Sequence, residues 1–271
     1  MLFLHGSWHG AWCWAENVLD YFAANGFAAY ALSFRGHGES EGRERLRFMR
    51  VRDFVDDVAA VVDLLPSPPI LVGHSMGGFV AQKYLERRAL PGMVLVASAP
   101  PRGLLRSLVQ LARRDPLMVV KSALTLSLWP MIADVDRARA LFFSPSTPRE
   151  LASRYCARLQ DDAYLAYLDC LALDLVDVRK ISTPALVMGG ALDAVIRPDL
   201  VAATARAYGV EPVMLTTMAH DMMLEPDWRK LADAILAWVE TLEGVAPQNV
   251  PLRRVSADDS AKYVRRLNIA S

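Results

Sequence analysis

The stretch from Pro69 to Arg88 constrains this chain more than any other. Ile70, Leu71, Val72 and Gly73 read as a short buried strand. Gly73-His74-Ser75-Met76-Gly77-Gly78 follows, and then Phe79, Val80, Ala81, Tyr84 and Leu85 recur at helical spacing. A strand that turns this sharply into a helix needs a strained backbone position at Ser75. It also needs bare positions at Gly73 and Gly77, where a Cβ would strike the neighbouring strand or helix. The helix then points the positive end of its dipole at the turn. Gly-x-Ser-x-Gly alone is weak. Gly is about 7% of average sequence, and with Ser about as common the pattern arises by chance in about one chain of this length in ten. The strand before it and the helix after it give it meaning.

The segments on either side repeat the same alternation. Residues 1–4 are apolar and run into His5-Gly6-Ser7-Trp8-His9-Gly10-Ala11-Trp12, a loop rich in aromatics and histidine. A helix over 14–25 stops at Asn25-Gly26. A strand over Phe27 to Phe34 ends in the polar loop Arg35-Gly36-His37-Gly38-Glu39-Ser40, and an amphipathic helix over 51–65 stops at Pro66-Ser67-Pro68-Pro69. A strand over Gly92 to Ala97 ends at Pro100-Pro101. After a break the pattern resumes, with a strand over Ala185 to Met188, a helix over 199–208, a strand over Val213 to Thr216 and a helix over Asp227 to Leu242. Strands alternating with helices imply parallel pairing, so the spacing predicts an α/β fold with a mostly parallel, doubly wound sheet of about six strands.

Within the break, residues 102–180 read as helices only: Leu104 to Ala112, Leu117 to Leu128, Arg137 to Phe143, Pro148 to Leu159 and Ala163 to Leu173. The domain reading is therefore a core of 1–101 and 181–243, a helical insertion of 102–180, and a C-terminal tail of 244–271. The tail has little periodicity beyond a weak helix near Ala261 to Arg266.

Composition narrows the function classes. Thirty basic and thirty acidic residues cancel, which removes the electrostatic case for nucleic acid. No apolar run is long enough to cross a membrane. Cys13, Cys156 and Cys170 are odd in number and lack metal-ligand spacing, so they read as free thiols of a reducing, cytoplasmic setting. The start, Met1-Leu2-Phe3-Leu4, reads as a strand rather than a signal peptide.

A serine hydroxyl is a poor nucleophile at neutral pH and needs a base, which in turn needs an orienting acid. In sheets carrying such a turn, acid and base follow the serine in that order. Of the five histidines only His220 lies after Ser75, just past the last predicted strand. Asp193 follows the strand that ends near Gly189, with Asp199 as the runner-up. The N–H groups of Met76 and Ser7 are placed to form an oxyanion hole. The rate should fall as His220 protonates, near its unperturbed value of about 6.5.

Five stretches in this order resemble the α/β-hydrolase superfamily, in the group of esterase and lysophospholipase-like members with a helical cap. They are His5 to Trp12, Arg35 to Ser40, Gly73 to Gly78, Gly190-Ala191-Leu192-Asp193 and His220-Asp221-Met222-Met223-Leu224-Glu225-Pro226. The resemblance implies Ser75 as nucleophile, Asp193 as acid and His220 as base. It makes His5 and the Arg35 loop supporting residues, and 102–180 the cap. It also implies two strands ahead of residue 1, whose absence leaves an exposed sheet edge.

The cap's Leu117, Met118, Leu126, Leu128, Trp129, Met131, Phe142 and Phe143 are either an apolar roof over the serine or the cap's own core. Trp8 and Trp129 are the candidate substrate-binding residues. The expected activity is hydrolysis of a hydrophobic carboxylic ester through an acyl-enzyme, without cofactor or metal, in a monomer or dimer. The alternatives are carbon–carbon bond hydrolysis, cofactor-free oxygen chemistry, or a ligand-binding member without turnover.

Overall fold

A computed structural model describes residues 1–242 and Gly244. The rest of the tail predicted for 244–271, with its weak helix, lies outside the described residues. Six strands, β1 (Leu2–Leu4), β2 (Tyr30–Leu32), β3 (Leu71–His74), β4 (Met93–Val96), β5 (Ala185–Gly190) and β6 (Val213–Leu215), make one sheet in the order β2-β1-β3-β4-β5-β6. Every neighbouring pair is parallel. Every residue of β1, β3 and β4 is buried. That is why these strands read as continuous apolar runs rather than as alternating ones.

The first half contributes α1 (Trp12–Ala15), α2 (Val18–Ala24), α3 (Val51–Leu64) and α4 (Met76–Leu85). α3 shows how local chemistry sets an element. The Arg50 N–H donates to Asp53 Oδ2 at 2.7 Å, closing the first turn, and Val51, Phe54, Val55, Val58 and Val62 form its buried face. Phe3 of β1 packs against Trp14 and Phe22, with ring centroids 5.1 and 5.5 Å away. The strand predicted over Phe27 to Phe34 shortens to three residues, and Tyr30 at this sheet edge is 40% exposed.

Between β4 and β5 lie α5 (Leu105–Arg114), α6 (Pro116–Thr125), α7 (Val135–Phe142), α8 (Arg149–Cys156) and α9 (Tyr164–Leu168), and no strand among the described residues. The helix predicted to run to Leu173 changes at Asp169 to a π-helical turn over Asp169–Leu173. There the Asp169 carboxylate accepts from Arg50 Nε at 2.8 Å and the Val51 N–H at 3.0 Å. Glu16 binds Arg154 and Arg158, and Gln160 binds Gly38 N–H and Gly36 C=O, so polar clamps fasten this segment to the sheet's loops. Of the predicted roof residues, Met118, Leu128, Met131, Phe142 and Phe143 are buried, whereas Leu117 is 76% exposed. α10 (Pro198–Tyr208) and α11 (Trp228–Val239) complete the fold. α11 packs on α2, and Tyr208 of α10 donates to Gln82 of α4 at 2.9 Å.

Candidate active site

Ser75 stands at the join of β3 and α4 with φ 50° and ψ −117°. A non-glycine residue held there costs about 1–3 kcal/mol, so the surroundings must impose it. They do so by close approach. A Cβ on Gly73 would lie 2.6 Å from the Gly77 oxygen, and one on Gly77 would lie 2.3 Å from the His5 oxygen at the end of β1. The loop after β1 lies against the same turn. A Cβ on Gly6 would meet the Ser75 Cβ at 2.9 Å, and Ser7 Oγ donates to Met76 Sδ at 3.6 Å. Among the described residues, neither the Ser7 nor the Met76 N–H donates to a protein acceptor.

His220 and Asp193 meet from the loops that follow β6 and β5. Asp193 Oδ2 accepts from His220 Nδ1 at 2.8 Å, and its Oδ1 accepts the N–H groups of Val195 and Ile196 at 2.7 and 2.8 Å. These bonds fix the carboxylate and leave His220 Nε2 as the ring's remaining polar atom. The runner-up Asp199 is 62% exposed and paired with Arg197. The His220 ring lies 4.6 Å from the ring of His74, the residue before Ser75, and stacks on Phe142 at 6.0 Å. No hydrogen bond joins Ser75 to His220 among the described residues, and such catalytic contacts commonly tighten only with substrate in place. Burial alone would lower the pKa of His220, but the Asp193 carboxylate outweighs it and raises that pKa above its ordinary value.

Three further buried groups crowd this centre, Asp221, His74 and Glu225, and all three lie within the stretches Gly73 to Gly78 and His220 to Pro226 without a role assigned to them from sequence. Asp221 is fully buried, with Oδ2 3.1 Å from His9 Nε2 and Oδ1 3.8 Å from His74 Nε2. Burial holds His74 well below the usual histidine range, and its Nε2 donates to the His220 carbonyl at 3.1 Å. Donor atoms of His74, His220 and Asp221 all lie within 4.8 Å of one another. Two of the ring nitrogens, His220 Nδ1 and His74 Nε2, are spent on hydrogen bonds, whereas His74 Nδ1 and Asp221 Oδ1 are buried without a partner among the described residues. Glu225 closes the far side, accepting from Ser144 and from the Ala219 N–H.

The two tryptophans separate. Trp8 packs on Phe142 at 5.6 Å, and so joins the aromatic wall that reaches His220. Trp129 sits in a short turn between α6 and α7, 40% exposed, and its N–H is bound to Asp161 and Ser127. Ser75 is 8% exposed, and two clefts of about 740 and 260 Å³ elsewhere on the molecule have neither Ser75 nor His220 in their linings.

A serine on a glycine turn, backed by a carboxylate-bound imidazole from the last loop of a parallel sheet, meets its match in sequence. The profile of the Alpha/beta hydrolase family covers residues 1–234. The chain belongs to that family. This α/β hydrolase is 35% identical over 90 residues to the monoacylglycerol lipase of Mycolicibacterium smegmatis, covering 31% of this chain and 32% of that protein. It is 33% identical over 98 residues to protein phosphatase methylesterase 1 of Bos taurus, covering 35% of this chain and 26% of that protein. The aligned stretch thus spans a third or less of the curated relatives it matches. Over the whole fold, an esterase from Exiguobacterium antarcticum superposes with a TM-score of 0.67 at 18% identity, covering 89% of this chain and 91% of that one.

Proposed function

We propose that this α/β hydrolase cleaves carboxylic esters with a hydrophobic acyl or alcohol part, through an acyl-enzyme on Ser75. The observation that carries the reading is the 2.8 Å bond from His220 Nδ1 to Asp193 beside the strained serine turn. With Nδ1 protonated and bound, Nε2 is free to take the Ser75 proton as Oγ attacks the ester carbonyl. The N–H groups of Ser7 and Met76 receive the oxyanion, each worth about 100- to 1,000-fold in rate. The imidazolium returns its proton to the departing alcohol, and a water deprotonated by His220 then releases the acid.

The wall of Trp8 and Phe142 gives the reactive face an apolar lining that favours hydrophobic substrates. Residues 102–180 act as the cap over it, with Trp129 at its exposed rim as a second contact. The relatives named above include a lipase and a methylesterase, which supports ester substrates. Cys13, Cys156 and Cys170 are free and buried, in keeping with a cytoplasmic setting, and no described helix is long and apolar enough to cross a membrane.

The test is a chain-length series of p-nitrophenyl esters with Ser75→Ala as control. Wild type should turn over the medium chains and the variant should lose about 10,000-fold or more. Equal slow rates in both would remove the reading. Labelling of wild type by a fluorophosphonate without ester turnover would favour carbon–carbon substrates instead.

A further inference from the structure

A second buried carboxylate–imidazole pair stands beside the first. His9 is 1% exposed, with Nε2 3.1 Å from Asp221 Oδ2 and Nδ1 2.7 Å from the Ser7 carbonyl oxygen. Trp12 stacks on its ring at 5.3 Å, and Phe142 and His74 stand edge-on at 5.8 and 6.1 Å, so the ring has one orientation. Both nitrogens face oxygens, the Ser7 carbonyl on one side and the Asp221 carboxylate on the other. Burial alone would raise the Asp221 carboxyl, yet the neighbouring imidazoles hold it below the usual carboxylate range.

The Ser7 carbonyl shares its peptide plane with the Trp8 N–H. That N–H donates to the buried Asp162, and the Trp8 carbonyl accepts the Gln160 N–H at 3.0 Å. Trp8 itself is held at φ 66°, a conformation a bulky residue keeps only when its surroundings demand it. The plane is therefore gripped on both polar atoms, by His9 on the oxygen and by Asp162 on the nitrogen. The amide immediately before it is the Ser7 N–H, the donor assigned above to the oxyanion. Rotating the gripped plane would swing that donor away from Ser75.

We propose that Asp221 and His9 form a positioning pair that fixes the oxyanion donor of the loop after β1. This rests on the ester-hydrolase reading. Neither residue touches the reacting atoms. Asp221 holds the ring, the ring holds the Ser7 carbonyl, and the plane so fixed aims the N–H. Because the loop acts on the charge that develops in the transition state, its loosening should appear in kcat rather than in KM.

The experiment uses the full chain and a p-nitrophenyl ester that wild type turns over. His9→Ala should lower kcat about 100-fold with KM changed less than about threefold, the signature of a lost oxyanion donor. His9→Asn, whose Nδ2 can take the place of Nδ1 on the Ser7 carbonyl, should recover about tenfold of that loss. Affinity for a trifluoromethyl ketone should fall in step with kcat/KM across the series. Should His9→Ala fail to fold by circular dichroism, Asp221→Asn carries the same comparison, with about a tenfold loss expected in kcat. A folded His9→Ala with unchanged kcat, a loss confined to KM, or an asparagine variant no better than alanine would overturn the pair's role. So would an Asp221→Asn enzyme with unchanged kcat. Wild type that neither turns over esters nor reacts with a fluorophosphonate would overturn the hydrolase reading and this proposal with it, whereas an active wild type with an indifferent His9 overturns the proposal alone.

Discussion

Asp193 with His220, and Asp221 with His9, are the same two residue types at bonding distance in one buried patch. What separates them is the second ring nitrogen. In His220 it has no hydrogen-bond partner among the described residues, which leaves it open for the proton transfer proposed above. In His9 it sits 2.7 Å from a carbonyl, so the ring can only hold. The acids differ as well. Both oxygens of Asp193 are occupied by donors, from His220 and from the backbone of Val195 and Ile196. Asp221 has one oxygen on His9 and the other without a hydrogen-bond partner among the described residues, 3.8 Å from His74. Composition and burial do not distinguish the proposed base from the proposed brace. The partner of one nitrogen does.

The comparison breaks most sharply at its first carboxylate. Asp193→Asn should cut kcat by about 1,000- to 10,000-fold, because the amide favours the wrong tautomer of His220 while leaving the fold in place. Steady-state kinetics checks it, and a loss no larger than that of Asp221→Asn would erase the distinction between the two pairs.

A smaller effect lies in the pH profile. In the proposed mechanism His220 works as a neutral base, so kcat/KM should be lost as pH falls through a value above about 6.5, since Asp193 raises the ring's pKa in the folded protein. A profile of kcat/KM from pH 5 to 9 tests this, and a limb at or below the unperturbed value would break the assignment. The smallest effect belongs to Asp199→Asn. This carboxylate is exposed and bound to Arg197, so kcat should stay within about twofold and stability within about 0.5 kcal/mol by thermal melting. A large loss there would hand the role of acid to Asp199.

The glycine turn at Ser75 was legible in full because its causes are local. Residues 70 to 85 carry the strand, the turn and the helix within one stretch, and the close approaches that exclude a Cβ at Gly73 and Gly77 follow from that geometry. The parallel pairing of the sheet was legible for a related reason, since each crossover needs a helix and the helices are periodic. The helical segment was readable as helices but not as faces. Leu117 and Met118 are adjacent and equally apolar, yet the first is 76% exposed and the second 7%, because packing with the rest of the segment, absent from local periodicity, decides which one turns inward.

By itself, the sequence determined that a serine would sit strained at the head of a helix, that a parallel sheet would carry it, and that His220 was the sole histidine able to follow it. Tertiary structure alone decided that Asp193 rather than Asp199 reaches that ring, that Asp221 meets His9 across 212 residues, and that Asp162 meets Trp8 across 154. The physical reason is range. Backbone sterics and side-chain periodicity act over a few residues and are written in order along the chain. Hydrogen bonds between distant loops exist only once the packed sheet has brought their ends together.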